Sequence, residues 1–63
     1  MSRKSIKQIL IDRDGMSPED ADDLITEAQE ALEDYLAEGD EASAYNVCEE
    51  FFGLEPDYLD ELL

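Results

Sequence analysis

The chain has 63 residues with nineteen Asp and Glu against four Lys and Arg, no His, and a formal net charge of −15. A chain this short holds one domain and one small core, and a surface this acidic excludes direct binding to a phosphate backbone, which depends on cationic contacts that release counterions. The single cysteine, Cys48, excludes an internal disulfide, and no apolar run is long enough for a membrane span. The start, Met1 to Lys7, is basic but lacks the apolar stretch and cleavage site of a signal peptide, so a soluble, cytoplasmic, monomeric protein without cofactor is expected. High charge argues for disorder, but 43% apolar residues in regular spacing argue for folding.

The charge is unevenly distributed. Arg3, Lys4, Lys7 and Arg13 are the only bases, so with Asp12 the first thirteen residues carry +3, while residues 14–63 carry −18. Residues 1–4 are expected to be disordered, and the basic start from Arg3 to Lys7 to fold onto neighbouring acids or lie loose. Self-repulsion among residues 14–63 predicts that screening, or a fall in pH from neutral toward about 5, strengthens folding.

In chain order, "SIKQILIDRDG" predicts a helix of two to three turns ending near Gly15, with Ile6, Ile9 and Leu10 inward and Ile11 pointing away. "SPEDADDLITEAQEALEDYLAEGD" predicts one long helix with marked ends. Ser17 is the N-cap, Pro18 suits the first position, Asp20 stands where a capping-box acid would, and Gly39 supplies the left-handed end. Met16 is placed to staple onto Ala21. Ala21, Leu24, Ile25, Ala28, Ala31, Leu32, Tyr35 and Leu36 recur at steps of three and four, which makes one apolar face, and the acids fall opposite. Asp40 is expected to cap a third helix, "EASAYNVCEEFF", with Ala44, Tyr45, Cys48, Phe51 and Phe52 inward, Gly53 ending it and Leu54 in a Schellman contact. A short terminal helix follows from Pro56, with Leu59, Leu62 and Leu63 inward. The fold class is therefore all-α: residues 1–63 as a single acidic bundle of three helices plus a short C-terminal one.

Four sources of chemistry fail on inspection. Beyond residue 13 there is no base to activate Cys48, and solvated carboxylates lack the burial that raises a general acid's pKa, so no catalysis is expected. "DRDGMSPEDADD" starts like a calcium loop at Asp12 and Asp14, but Met16 falls at position five, Ser17 replaces the turn glycine and Asp23 closes where a bidentate Glu is needed. No metal is expected. Ser5, Ser17 and Ser43 lack the Asp-Ser-Leu setting of an acyl carrier. "AYNVCEEFFGLEPDYLDELL" has the cadence of a helix-turn-helix, but its second helix would present Glu55, Asp57, Asp60 and Glu61 to phosphates.

The acidic face itself remains. An acidic face often serves only solubility, yet that does not require removing every cation from fifty residues, and like charge costs stability in a small domain. Asp23, Glu27, Glu30 and Asp34 step by four, three and four, about 4.5–6 Å of helical rise, against successive strand phosphates that lie on the order of 6–7 Å apart with an axial rise of ~3.4 Å. Uniform sign attracts a basic cleft and removes groups that would repel it. The candidate partner-binding residues are Asp22, Asp23, Glu27, Glu30, Glu33, Asp34 and Glu38, with secondary contacts at Glu49, Glu50, Asp57, Asp60 and Glu61.

The stretches "RDGMSPEDADDLITEAQEALEDYL" and "GLEPDYLDELL" resemble small acidic proteins carried by phages and prophages. Size, acidity and helical build look like the DNA-mimic anti-CRISPR proteins that inhibit type I-C effector complexes. The resemblance implies an inhibitor acting in the host bacterial cytoplasm, occupying the cationic channel or PAM-reading surface so that target DNA cannot enter. Two other readings stand beside it. One is an adaptor or regulatory protein docking through apolar residues such as Ile11 or Tyr58, and the other is an anti-restriction DNA mimic with the same mechanism and a different partner.

Overall fold

The computed structural model describes residues 4–63, so the expectation about residues 1–3 lies outside the described part. The described residues are all-α: α1 (Ile6–Asp14), α2 (Pro18–Ala37), α3 (Glu41–Tyr45), α4 (Val47–Phe52) and a closing 3-10 helix (Pro56–Glu61). No strand occurs among them, and no helix is long and apolar enough to cross a membrane. The long helix α2 is central. It packs against α1, α3 and α4, and the 3-10 helix leans on α4.

The helix ends follow their local chemistry. Ser5 and Ser17 hold extended backbone, and their hydroxyls accept from the N–H of Gln8 and Asp20, satisfying one orphan donor at the start of α1 and of α2. At the other end of α2, Gly39 takes φ of +77°. Its N–H reaches the Leu36 carbonyl and the Asp40 N–H reaches that of Tyr35, the paired bonds of a Schellman turn. Asp40 then starts α3, its carboxylate accepting from the Ser43 N–H at 3.1 Å.

The expected third helix is two helices. Asn46 sits at φ −92°, ψ 3°, and its N–H bonds to the Ser43 carbonyl three residues back, so α3 closes tightly before α4 begins. Asn is a poor helix-interior residue, because its side chain competes with the backbone for hydrogen bonds. The face differs too: Val47 is fully buried whereas Tyr45 is 59% exposed. At ~100° per residue Val47 lies about 60° from Ala44 and Tyr45 about 100° on the other side, so Val47 is nearer the buried direction. Gly53 ends α4 at φ +67° with its N–H on the Glu49 carbonyl, while the Leu54 N–H reaches back to Cys48; these bonds replace the expected Schellman pair.

The C-terminal segment is a 3-10 helix, with Tyr58 N–H on the Glu55 carbonyl and Leu62 N–H on that of Leu59. The tighter bonding is common in short closing pieces. Leu62 is buried and Leu59 half-buried, but Leu63 is 79% exposed, contrary to expectation.

The core joins Ile6 and Leu10 of α1, Ala21, Ala28 and Leu32 of α2, Ala44, Val47, Cys48 and Phe52 of α3 and α4, and Leu62. No polar or charged residue is buried among the described residues. The two alanines on α2 remove side-chain bulk where its neighbours cross it. Around this centre Met16, Leu24, Ile25, Tyr35, Phe51, Leu54, Tyr58 and Leu59 are half-buried. So is Ile11, which covers the core rather than pointing away from it. Leu36 leaves the expected apolar face, being 49% exposed. The nine residues of α1 cover about 13.5 Å of the roughly 30 Å length of α2, too little to shield both ends.

Candidate functional site: the acidic face of α2

The site is built by the helix period. Taking Asp23 as zero and turning ~100° per residue, Glu27, Glu30 and Asp34 fall within about 40° of it, and Ala21, Ala28 and Leu32 fall roughly 140–180° away. Burying the alanine–leucine side against α1, α3 and α4 therefore turns the four acids to solvent as one straight row. Over eleven residues the row is about 16.5 Å long. Glu38 continues it past the end of α2, while Asp22 and Glu33 lie on one flank. All seven of these residues are exposed.

Charge compensation is almost absent along the row. Among the described residues Asp23, Glu27, Glu30, Glu33, Asp34 and Glu38 form no side-chain hydrogen bond or ion pair. Asp22 is the exception. The Lys7 ammonium lies 3.2 Å from each of its carboxylate oxygens, a pairing set by the α1–α2 hairpin and not readable from sequence spacing. The negative end of the α2 dipole also meets Glu38 and no base, an arrangement that favours a cation supplied from outside.

The remaining described bases, Lys4 and Arg13, are engaged elsewhere. Lys4 pairs with Asp12 at 2.8 Å, and Gln8 also donates to that carboxylate. These bonds, the one from Lys4 foremost, hold the Asp12 carboxyl below its ordinary value. Arg13 donates to Asp14 through two nitrogens, lowering the Asp14 pKa and raising its own, and a further N–H reaches the Phe52 carbonyl at the end of α4. A guanidinium there complements the negative end of a helix. Asp40 is likewise lowered, first by the Ser43 side chain and then by the Ser43 N–H, and this belongs to its capping role. The segment that superficially looked like a calcium loop is thus the end of α1, a glycine turn and the start of α2.

The secondary acids are scattered. Glu49 and Glu50 are exposed on α4, where with Asn46 they line an open surface depression. Asp57 and Asp60 are exposed on the 3-10 helix. Glu61 does something different: its carboxylate accepts the Ile6 N–H at 3.0 Å, capping α1 from the far end of the chain. Among the described residues no group of three metal-ligating side chains converges, and the Cys48 thiol is fully buried in the core. Among the described residues the exposed large apolar ones are Leu36, Tyr45 and Leu63, whereas Ile11 and Tyr58, the expected apolar docking points, are half-buried against the core. No protein-family model matches the chain, and no curated protein or solved structure matches it either.

Proposed function

We propose that the protein is a non-enzymatic inhibitor that sets the row Asp23, Glu27, Glu30 and Asp34 into the cationic groove of a nucleic-acid-binding complex and so excludes the nucleic acid. The observation that carries the reading is that row: straight, solvent-facing and with no ion pair among the described residues. A groove lined by Arg and Lys meets carboxylates at spacings near those of phosphates, on a helix already ordered before contact, so little entropy is lost on docking. Uniform sign steers encounter and rejects acidic surfaces. The resemblance to DNA-mimic anti-CRISPR proteins makes a type I-C effector complex the first partner to test, in the bacterial cytoplasm; a restriction enzyme is the alternative owner of such a groove.

The test is competition. Purified type I-C effector complex and its target duplex are mixed with the protein, and the DNA-bound fraction is followed by mobility shift. The wild type is expected to displace the duplex without binding it. Replacing Asp23, Glu27, Glu30 and Asp34 together with Gln keeps the helix, since Gln is a fair helix former, and should weaken binding by several kcal/mol, on the order of 2–5. Undiminished inhibition by this variant would reduce the acidic face to a solvated surface. Docking through exposed Leu36 and Tyr45 would then be the reading to pursue, and it would be indifferent to salt.

A further inference from the structure

The first N–H of a helix has no acceptor within that helix. In α1 this donor belongs to Ile6, and its acceptor is the carboxylate of Glu61, the last residue of the 3-10 helix. At the other end of α1 the Arg13 guanidinium donates to the carbonyl of Phe52, the last residue of α4. The chain between these two contacts, residues 53–61, therefore runs back along α1 from its end to its start. It leaves α4 at Gly53, where φ of +67° breaks the helix, and is extended at Glu55.

This segment is lightly held. None of Pro56–Glu61 is buried, no side chain caps its start, and it packs chiefly on α4. Leu62, just past it, is buried in the core, while Leu54, Tyr58 and Leu59 lie half-buried against it. Segments with little buried apolar area open at lower free energy than the core. We infer that residues 55–62 form a strap that opens and recloses as a unit about Gly53, with the Glu61–Ile6 bond as its catch, while α2 and α3 stay folded. Arg13 holds the end of α4, so the pivot keeps its place when the catch releases. Opening removes the remote cap of α1 and uncovers the core beneath Leu62. The acidic row of α2 takes no part in this motion.

The Ile6 N–H is the reporter, since its protection comes from the catch. Amide hydrogen exchange is measured by NMR on the full chain across sub-denaturing urea. The amides of Ile6, Tyr58 and Leu62 should share one protection factor, at least roughly tenfold below that of Leu32, and should barely respond to urea that speeds Leu32. In Glu61→Ala the Ile6 amide should lose its protection and those of Tyr58 and Leu62 should fall roughly fivefold, whereas Glu30→Ala should change none of the three. One protection factor and one urea dependence for all four amides would mean that the strap opens only with the whole molecule. An unprotected Ile6 in the wild type, or Tyr58 and Leu62 unmoved by Glu61→Ala, would mean that the bond is no catch. Each of these results overturns the inference.

Discussion

The Ile6 N–H donates to the Glu61 carboxylate at 3.0 Å, across 55 positions of sequence. The first turn of α1 is thereby capped twice, locally by Ser5 and remotely by the 3-10 helix. An anion at the positive end of a helix adds a dipole term to the hydrogen bond. An acid that sequence reasoning named as a secondary partner contact is also part of what closes the fold.

Glu61→Ala should therefore destabilise the protein. A hydrogen bond to a charged group is worth about 1.5–3 kcal/mol when fully formed, and partial exposure brings the expected cost nearer 1 kcal/mol. For a domain of this size that is a fall in melting temperature of roughly 4–8 °C. Thermal circular dichroism measures it, and Glu30→Ala, at an exposed acid with no side-chain bond among the described residues, is the control. Equal melting of the two variants would mean that the remote cap contributes nothing.

Two leucines on α2, one turn apart, should respond very differently. Leu32 is 2% exposed and Leu36 is 49% exposed. Leu32→Ala should cost about 2–5 kcal/mol, which approaches the whole stability of a core this small, whereas Leu36→Ala should cost well under about 1 kcal/mol. Urea titrations decide it. Comparable losses would place Leu36 in the core.

Acid should remove a specific contribution to stability. Asp12, Asp14 and Asp40 all have folded pKa values below the ordinary carboxylate value, because Lys4, Arg13 and Ser43 bond to their charged forms. A lowered folded pKa means the unfolded chain binds protons first, so the contribution is complete above the unfolded value near pH 4 and fades as pH drops through the folded value. General charge repulsion relaxes over the same range and obscures the wild-type curve, so the readout is a difference. The stability advantage of wild type over Asp40→Ala should be flat from pH 7 to about 5 and should shrink toward pH 2. An advantage that grows on acidification would contradict the assignment.

Salt should move folding and binding in opposite directions. The described residues span 33 × 26 × 16 Å, so at 0.01 M salt, with a Debye length of ~30 Å, most of the molecule feels its own net charge of −15. At 0.1 M the length is ~10 Å, and repulsion is confined to neighbouring side chains. Melting temperature should rise between the two while the affinity proposed for a cationic groove weakens. A melting temperature independent of salt would show that repulsion is already compensated.

The sequence reveals most where a segment carries its own punctuation. Ser17, Pro18 and Gly39 bracket α2, its apolar period predicts which side is buried, and the row Asp23–Glu27–Glu30–Asp34 follows from that side alone. What depends on distant partners was not readable. Whether Leu36 is covered depends on the length of α1, the exposure of Leu63 on how the 3-10 turn meets α4, and the roles of Lys7 and Glu61 on tertiary register. The break at Asn46 lies between these cases. Its low helix propensity was visible, but the apolar spacing around it, Ala44, Cys48, Phe51 and Phe52, continues smoothly through.

Cys48, fully buried between α2 and the end of the chain and the only cysteine present, gives the molecule an internal clock. A thiol reagent reaches it only when the core opens, so the alkylation rate is the rate for an accessible thiol multiplied by the fraction of open chains. For a domain of about 3–5 kcal/mol that fraction is on the order of 10⁻² to 10⁻⁴. Docking of any partner that binds the folded form alone would slow the reaction further. Occupancy of the acidic face can thus be followed from the far side of the helix, by a residue that never touches what binds there.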